Sequence, residues 1–415
     1  MRTRRKRNGK GIMETAAADS EDRISALPDE LLQHMMSFLL SRDAVQTCLL
    51  ARRWRTLWKS VPALRIHDPY SYDDVPGCIT FVDKLIRLRD PTPLDVCDIS
   101  SDHEYACEWD EAFLDMEPWL EYALESQAQV LRIRFPCLVI NINLISSHLK
   151  KFQLYDMELE GTLDFSSCQV LEVLEMTDCD ICVDIKSQSL KHLHVYDGCF
   201  GSDDRTRFYT PNVVGLKLAP SWGLIPFLGK MTSLVTASIT LGKGCFYRRL
   251  LHEFDGAAGS NNCPIILDSL SGATNLELTI ADPDVSIFRK DFKWCPMFSK
   301  LKTLLLNEWC MVAKFTGLIY FLQHSPVLET LTLRLDFDTS QKKRHVIERV
   351  ERCNSREQSL LSKHLKLVKI VCDTKNDKRV HHIASVLSWS WPFLQFKTMK
   401  LMRVVNRDGA PACVP

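Results

Sequence analysis

Cys179-Asp180-Ile181-Cys182 is the only C-x-x-C spacing in the chain, and His192 and His194 follow closely, so tetrahedral zinc ligation is the first chemistry to weigh. The spacing argues against it. A structural zinc site answers such a pair with a second C-x-x-C or with an H-x(3–5)-H pair, and neither occurs here. His192 and His194 are also expected on opposite sides of one strand. Cys179 lies three residues after Met176, where a repeating chain often uses Asn or Cys to satisfy its turning backbone. Covalent catalysis has no better footing, because there is no G-x-S-x-G elbow and the twelve histidines have no recurring Ser or Cys partner. No G-x-x-x-x-G-K-[ST] or G-x-G-x-x-G loop is present to cradle a phosphate. The expectation is therefore no catalytic residue, no metal and no cofactor.

With chemistry set aside, the segment that most needs explaining is Leu27 to Leu57, LPDELLQHMMSFLLSRDAVQTCLLARRWRTL. Pro28 can open a helix without losing a hydrogen bond, and Asp29 and Glu30 complement the positive end of its dipole. Leu31, Met35 and Leu39 recur four apart, but Leu32, Met36 and Phe38 are apolar too, so the hydrophobic arc is wider than a one-sided helix uses. Asp43 is expected to cap a second helix carrying Val45, Cys48 and Leu49. A third should carry Trp54, Leu57 and Trp58. So small a unit cannot bury all these side chains alone.

Beyond residue 127 a pattern of the form L-x-x-L-x-L recurs. Val130-Ile133-Phe135, Leu149-Phe152-Leu154, Leu171-Leu174-Met176, Leu190-Leu193-Val195, Val213-Leu216-Leu218 and Leu234-Ala237-Ile239 start 19, 22, 19, 23 and 21 residues apart. Such a period predicts a stacked solenoid in which each copy supplies one short strand to a curved parallel sheet. Later copies, from Ala273-Leu276-Leu278 to Phe396-Met399-Leu401, are more widely spaced. Pro118 to Leu124 and Leu318 to Leu322 read as helical lead-ins, so helix then strand is the expected unit.

Equal numbers of basic and acidic residues, 52 of each, leave no net charge to attract nucleic acid or a membrane surface. No apolar run approaches the roughly 20 residues that span a bilayer. Sixteen cysteines spread over 415 residues, with no secretory signal, suit a reducing compartment. The expectation is a soluble protein of the nucleus or cytoplasm, with no membrane partner and no specific nucleic-acid partner. Arg2, Arg4, Arg5, Lys6, Arg7 and Lys10 form a basic start that could serve nuclear import or be a solvated tail.

Leu27-Pro28, Leu31, Met35, Leu39, Asp43 and Arg53-Trp54-Arg55 resemble the F-box, a helical module that binds Skp1-type adaptors of cullin ubiquitin ligases. The repeats, with WCPMFSKLKTLLLNEWC at 294–310 and FLQHSPVLETLTL at 321–333, resemble the plant F-box/leucine-rich-repeat family, whose members often end in an FBD-type segment. The resemblance implies an α/β protein divided as follows: a disordered basic tail (1–21), an F-box of three helices (22–62) and a connecting helical and strand segment (63–126). Leucine-rich repeats (127–363) come next, with insertions near 242–264 and 336–363, then an FBD-like terminal segment (364–405) and a tail (406–415).

It further implies a non-catalytic substrate receptor that docks on a Skp1-like adaptor, and through it a cullin, while its repeats recruit an unknown protein for ubiquitination. No RING-type paired Cys/His pattern is present, so ligase chemistry would belong to the partners. Leu27, Pro28, Leu31, Met35 and Leu39 are the implied docking residues, with Trp54 and Leu57 closing the helical unit or lining the adaptor groove. By position in their strands, Arg134, Gln153, Glu175, His194, Lys217 and Ser238 are expected to face outward from the sheet and meet the target, and Trp222 or Trp309 to offer an exposed anchor. The segment from Leu64 to Leu94, with Phe81, Leu85, Ile86 and Leu88, is expected to make a stiff joint. A repeat protein that binds partners without forming a ligase is the alternative reading.

Overall fold

The structure, a computed structural model, describes residues 24, 26–67, 75–101, 117–136, 139–140, 144–246, 266–282, 287–292, 297–335, 364–372, 378–390 and 399–403. The expected tails at 1–21 and 406–415, the insertion at 336–363 and most of that at 242–264 lie outside these residues.

Thirteen parallel strands form a front sheet in strict chain order. The first six are Ala63–His67, Val96–Ser100, Val130–Arg134, Lys151–Tyr155, Val173–Thr177 and His192–Tyr196. Gly215–Ala219, Thr236–Leu241, Asn275–Ile280, Thr303–Asn307, Thr330–Arg334, Leu367–Cys372 and Met399–Arg403 complete it. Alternation explains the strands. Leu174 and Met176, Leu193 and Val195, and Leu216 and Leu218 are buried pairs separated by one outward residue. Each such pair supplies roughly 3–6 kcal/mol of gross hydrophobic burial, which one strand cannot realise until its neighbour stacks on it.

The sheet starts earlier than expected. Val61-Leu64-Ile66 and Leu94-Cys97-Ile99 carry the same spacing as the later copies and are buried in the same way, so 63–126 contributes the first two strands instead of merely connecting. The third copy also shifts by two residues. Ala128-Leu131-Ile133 carries the motif in place of Val130-Ile133-Phe135, because Leu131 aligns with Phe152 and Ile133 with Leu154; Phe135 is also buried, whereas Val130 is not.

Helices return the chain behind both ends of the sheet: Val75–Leu88 and Glu117–Glu125 early, and Leu267–Leu270, Ile287–Asp291, Val312–His324 and Lys378–Ser390 late. In the middle the expected helices are replaced by a second, eight-stranded parallel sheet running from Val139–Ile140 to Gly244–Phe246. Its central strands, Glu158–Asp164 and Asp180–Lys186, pair over seven residues. Repeats of about 20 residues leave too little chain for a packed helix with two connections, and Ile181, Val183 and Ile185 alternate with polar residues, a strand pattern. Among the described residues no helix is long and apolar enough to cross a membrane.

The turn from front to back strand repeats one device. Asp156, Asp178 and Asp197 adopt φ of 56°, 54° and 51°. Their N–H groups donate to the carbonyls of Thr177, Tyr196 and Ala219 on the next coil at 2.9, 3.0 and 2.9 Å. Asp tolerates this left-handed conformation better than most side chains. Gly223 is stricter, with φ of 104° and a place where an added Cβ would lie 1.9 Å from the Phe200 carbonyl oxygen. Gly223→Ala should lower unfolding free energy by about 2–5 kcal/mol, combining backbone strain and overpacking. Gly272→Ala, whose Cβ would meet nothing closer than 3.7 Å, serves as the near-neutral control in the same urea titration.

The amino-terminal helices are Asp29–Met36, Ser41–Gln46 and Trp54–Leu57, with 3-10 turns at Thr47–Leu49 and Trp58–Ser60. The second begins two residues before Asp43, which therefore sits in its first turn and is not its cap. Ser41 instead accepts the Arg65 N–H at 2.9 Å, and Arg65 Nε donates to the Ser37 carbonyl at 2.7 Å. These bonds tie the helical unit to the first strand, and Leu85 lines one small cleft together with Met36, Leu39, Ala44, Val45 and Trp58. Leu88 does not join them and is exposed. One continuous core runs from Leu32 to Leu387.

Candidate functional site

Two surfaces stand apart from this core. The first lies on the amino-terminal helices. Leu32 and Met36 are buried, whereas Leu31 and Met35, one position earlier on the same turns, are both 50% exposed. Leu39 and Phe38 are exposed beside them, and Leu49 and Leu50, at the end of the 3-10 turn, are 84% and 71% exposed. Leu27 is half-buried and Pro28 exposed. Sequence reasoning named Leu27, Pro28, Leu31, Met35 and Leu39 but passed over Phe38, Leu49 and Leu50. The signal for these was the excess of apolar residues on every face of the block.

Trp54 and Leu57 were grouped with the docking residues, but at 8% and 5% exposure they have almost no surface to offer a partner. They close the helical unit, because the helix at Trp54–Leu57 packs on the 3-10 turn at Thr47–Leu49 and on the first helix. Arg53 fixes the same geometry from outside. Its Nε donates to Asp29 at 2.8 Å and its Nη2 to Asp29 and to the Leu27 carbonyl, which ties the third helix to the start of the first.

The second surface is the outward face of the front sheet. Its middle row runs in register through Arg65, Asp98, Arg132, Gln153, Glu175, His194, Lys217, Ser238 and Glu277. Five of the six expected residues stand in this row. Arg134 does not. It lies two residues further along its strand, opposite Tyr155, and Arg132 takes its place as a consequence of the two-residue shift in that copy.

Neighbours in the row are bonded to one another. Arg65 and Arg132 lie 3.1 and 3.6 Å from the Asp98 carboxylate, and Arg132 Nε donates to Gln153 at 2.7 Å. Gln153, only 5% exposed, donates to Tyr155 and Glu175, so it holds the row together more than it faces solvent. Glu175 also receives Lys151 at 3.0 Å and His194 at 3.4 Å, and Ser238 donates to Glu277 at 3.2 Å. Lys217 is exposed.

Burial alone would raise the pKa of Asp98. The His67 hydrogen bond and charge, with the Arg132 and Arg65 charges, outweigh it and hold the carboxyl below its ordinary range. Glu175 is likewise pushed up by burial but held down on balance by Lys151, Gln153 and His194. His194 moves the other way from the usual paired histidine. Burial lowers its pKa most, Glu175 opposes this, and Lys217 and His192 add to the lowering. A histidine that protonates less readily folded than unfolded penalises the folded state as pH falls through its ordinary range. His194→Gln should therefore flatten the decline in melting temperature between about pH 7 and about pH 5, a window above the loss of the Asp98 and Glu175 contributions.

His192 and His194 share one face of their strand, their rings 6.2 Å apart, as residues two apart on a strand must. The expectation of opposite sides is overturned. Cys179 is buried, with its thiol pushed up to about 11 by burial, while Cys182 is exposed, so the pair does not converge. No group of three or more potential metal-ligating side chains comes together among the described residues. Trp309, expected as an exposed anchor, is 1% exposed and donates its indole N–H to the Leu278 carbonyl at 3.0 Å. Trp222 is 46% exposed but stands on the back sheet.

The meiotic F-box protein MOF of Oryza sativa subsp. japonica is 27% identical over 359 residues, a match that covers 75% of this chain and 71% of that protein. An F-box/FBD/LRR-repeat protein of Arabidopsis thaliana is 26% identical over 375 residues, covering 80% of this chain and 81% of its own length. Over most of its length the chain is thus similar to proteins named as plant F-box and F-box/FBD/LRR-repeat proteins. A shorter stretch of 84 residues is 43% identical to an FBD-associated F-box protein of Arabidopsis thaliana, 20% of this chain and 19% of that one. No family model matches the chain. In this chain the terminal strand-helix-strand, Leu367–Cys372, Lys378–Ser390 and Met399–Arg403, continues the front sheet without a break.

Proposed function

We propose that this protein is the substrate-recognition subunit of a Skp1-cullin-F-box ubiquitin ligase: its F-box docks on a Skp1-like adaptor and its repeat sheet recruits the protein to be modified. The observation that carries this reading is the cluster of Leu31, Met35, Phe38, Leu39, Leu49 and Leu50, which lie exposed while the core beneath them is already filled by Leu32, Met36, Trp54 and Leu57. Six exposed apolar side chains concentrated in one short segment mark a protein interface. Leu27 and Pro28 sit at its border, and Arg53 and Trp54 keep its helices in place.

The chain supplies no chemistry of its own in this role. It brings a lysine of the target close to a charged carrier enzyme held by the cullin, and proximity raises the effective concentration of the reacting groups. The nucleus and the cytoplasm both suit such work.

Reconstitution tests it. The full chain mixed with a recombinant plant Skp1-type adaptor should elute as a one-to-one complex, and adding the cullin with its RING partner should give a larger one. A chain that stays alone at micromolar adaptor would leave the repeat sheet as a binding scaffold outside any ligase.

A further inference from the structure

One part of the back sheet's outward face carries a charge that its neighbours do not balance. Register puts Glu158, Asp180, Cys199 and Trp222 in one row across four strands, with Glu160 opposite Cys182 in the next row. Glu160, Asp180, Cys182 and Trp222 are exposed. The carboxylates of Glu158, Glu160 and Asp180 form no hydrogen bond or ion pair among the described residues. They crowd Cys182, whose thiol is pushed up by burial and then by Asp180, Glu160, Glu158 and Asp203. At the bend into these strands Asp156, Asp178 and Asp197 extend the strip. The Asp178 carboxyl is pushed up by burial and by Asp197 and Asp156, with Arg134 opposing.

The other basic side chains of this face are engaged or distant. Lys186 stands opposite Asp164 at the far end of its strand, and Arg207 lies 3.5 Å from Asp184. Lys230 follows Phe227–Leu228 at that same end. Arg205 is turned onto the carbonyls of Ile225 and Pro226. Lys243 stands two coils beyond Asp197, beside the Gly244 over which the Trp222 ring lies. On the preceding coil, residues 135–147 hold no charge at all. Six carboxylates on three adjacent coils, those of Asp156, Glu158, Glu160, Asp178, Asp180 and Asp197, are thus opposed on those coils by Arg134 alone.

The chain itself holds the complement. Residues 1–10 carry Arg2, Arg4, Arg5, Lys6, Arg7 and Lys10 with no acid. The stretch 11–23, which links them to Ile24, can span up to about 45 Å. The strip occupies the fourth to sixth coils, about 15–25 Å along the stack from the first strand, where the F-box is packed, so these residues can reach it. A tether of that length raises the effective concentration to the millimolar range, enough for contacts that are weak singly. Trp222, two strands and about 10 Å from Asp180, adds a ring face on which a guanidinium can stack.

We propose that residues 1–10 dock on this acidic strip of their own chain, their Arg and Lys side chains meeting Glu158, Glu160 and Asp180 and one guanidinium stacking on Trp222. A basic segment held there is withdrawn from any partner that reads it, and salt or a competing basic segment releases it. The proposal goes beyond the adaptor reading and does not depend on it.

The test measures, by fluorescence anisotropy, binding of a labelled peptide of residues 1–12 to full-length chains. The first chain carries Arg2→Gln, Arg4→Gln, Arg5→Gln, Lys6→Gln, Arg7→Gln and Lys10→Gln, which leaves the strip vacant. At low salt the peptide should bind it, and should bind the wild-type chain about tenfold more weakly or worse, because the native segment competes. Adding Glu158→Gln, Glu160→Gln and Asp180→Asn to the first chain should cost about tenfold or more in affinity. Glu172→Gln, Asp268→Asn and Glu329→Gln remove the same charge elsewhere and should change affinity by no more than about twofold. Equal affinity for the wild-type and first chains, binding that survives loss of the three strip carboxylates, or an equal loss in the matched control would each overturn the proposal. Sedimentation velocity at the same concentration covers the remaining occupant: a dimer formed by the wild type and not by the first chain would assign the basic segment to a second copy, and docking on its own chain would be wrong. No adaptor enters these measurements, so their failure leaves the F-box reading standing.

Discussion

Leu31→Glu combined with Met35→Glu is expected to weaken capture of a Skp1-type adaptor by a factor of about 100 or more, with no loss of thermal stability. Interface hot spots each contribute about 2 kcal/mol or more, and a buried, unpaired carboxylate adds its own desolvation cost. Both side chains are half exposed in the free protein, so a charge there meets water and the fold is spared. Leu32→Glu is the informative contrast. It places the same charge one position on, into the core, and should unfold the F-box. Adaptor binding by isothermal calorimetry, beside circular-dichroism melts, separates the two cases. If the double variant keeps wild-type affinity, the docking surface lies elsewhere.

Trp309→Ala should cost about 3–5 kcal/mol of stability, the range for emptying a large aromatic from a packed core. The indole touches Phe288 at a centroid distance of 5.0 Å and Phe321 at 6.4 Å, and its N–H satisfies the Leu278 carbonyl. Gly317 is placed so that an added Cβ would lie 2.8 Å from the indole, which shows how tightly the helix Val312–His324 lies over it. Trp309→Phe should recover part of the packing while losing the indole hydrogen bond to that carbonyl, and so fall between the wild type and the alanine variant. Urea denaturation followed by tryptophan-independent circular dichroism reads both. An alanine variant within about 1 kcal/mol of wild type would mean that the late repeats are packed differently.

The front sheet was legible because its signal is redundant: a buried pair at fixed spacing recurs, and stacking in register follows from the spacing alone. The errors fell where two apolar residues are adjacent or the spacing lengthens. Val130 and Leu131 both fit the pattern, and choosing the first displaced Arg134 into the row that Arg132 occupies. Val61-Leu64-Ile66 and Leu94-Cys97-Ile99 carry the motif, but the longer gaps and the helix between them hid it. The back sheet was legible in principle from Ile181, Val183 and Ile185, an alternation overlaid by the metal-like spacing of Cys179 and Cys182. Trp309 could not have been placed from its neighbours in sequence, because its burial depends on Phe288 and Phe321 arriving from other elements. On the F-box, helical period and motif together pointed to Leu31, Met35 and Leu39. That Trp54 and Leu57 face inward depends on how the third helix is tied down by Arg53 to Asp29, a contact between residues 24 apart in the chain.

Arg65 belongs both to the first strand and, through Ser37 and Ser41, to the F-box, so the sheet is anchored at one end like a jib. Strands about 4.8 Å apart place His192–Tyr196, sixth in the row, about 24 Å along the arc from that anchor. Gain or loss of a single repeat between the two would shift a bound cargo by about 5 Å, close to the distance between neighbouring side chains on a helix surface. Repeat number would then act as a ruler, selecting which lysine of the cargo is presented, independently of how tightly the cargo is held.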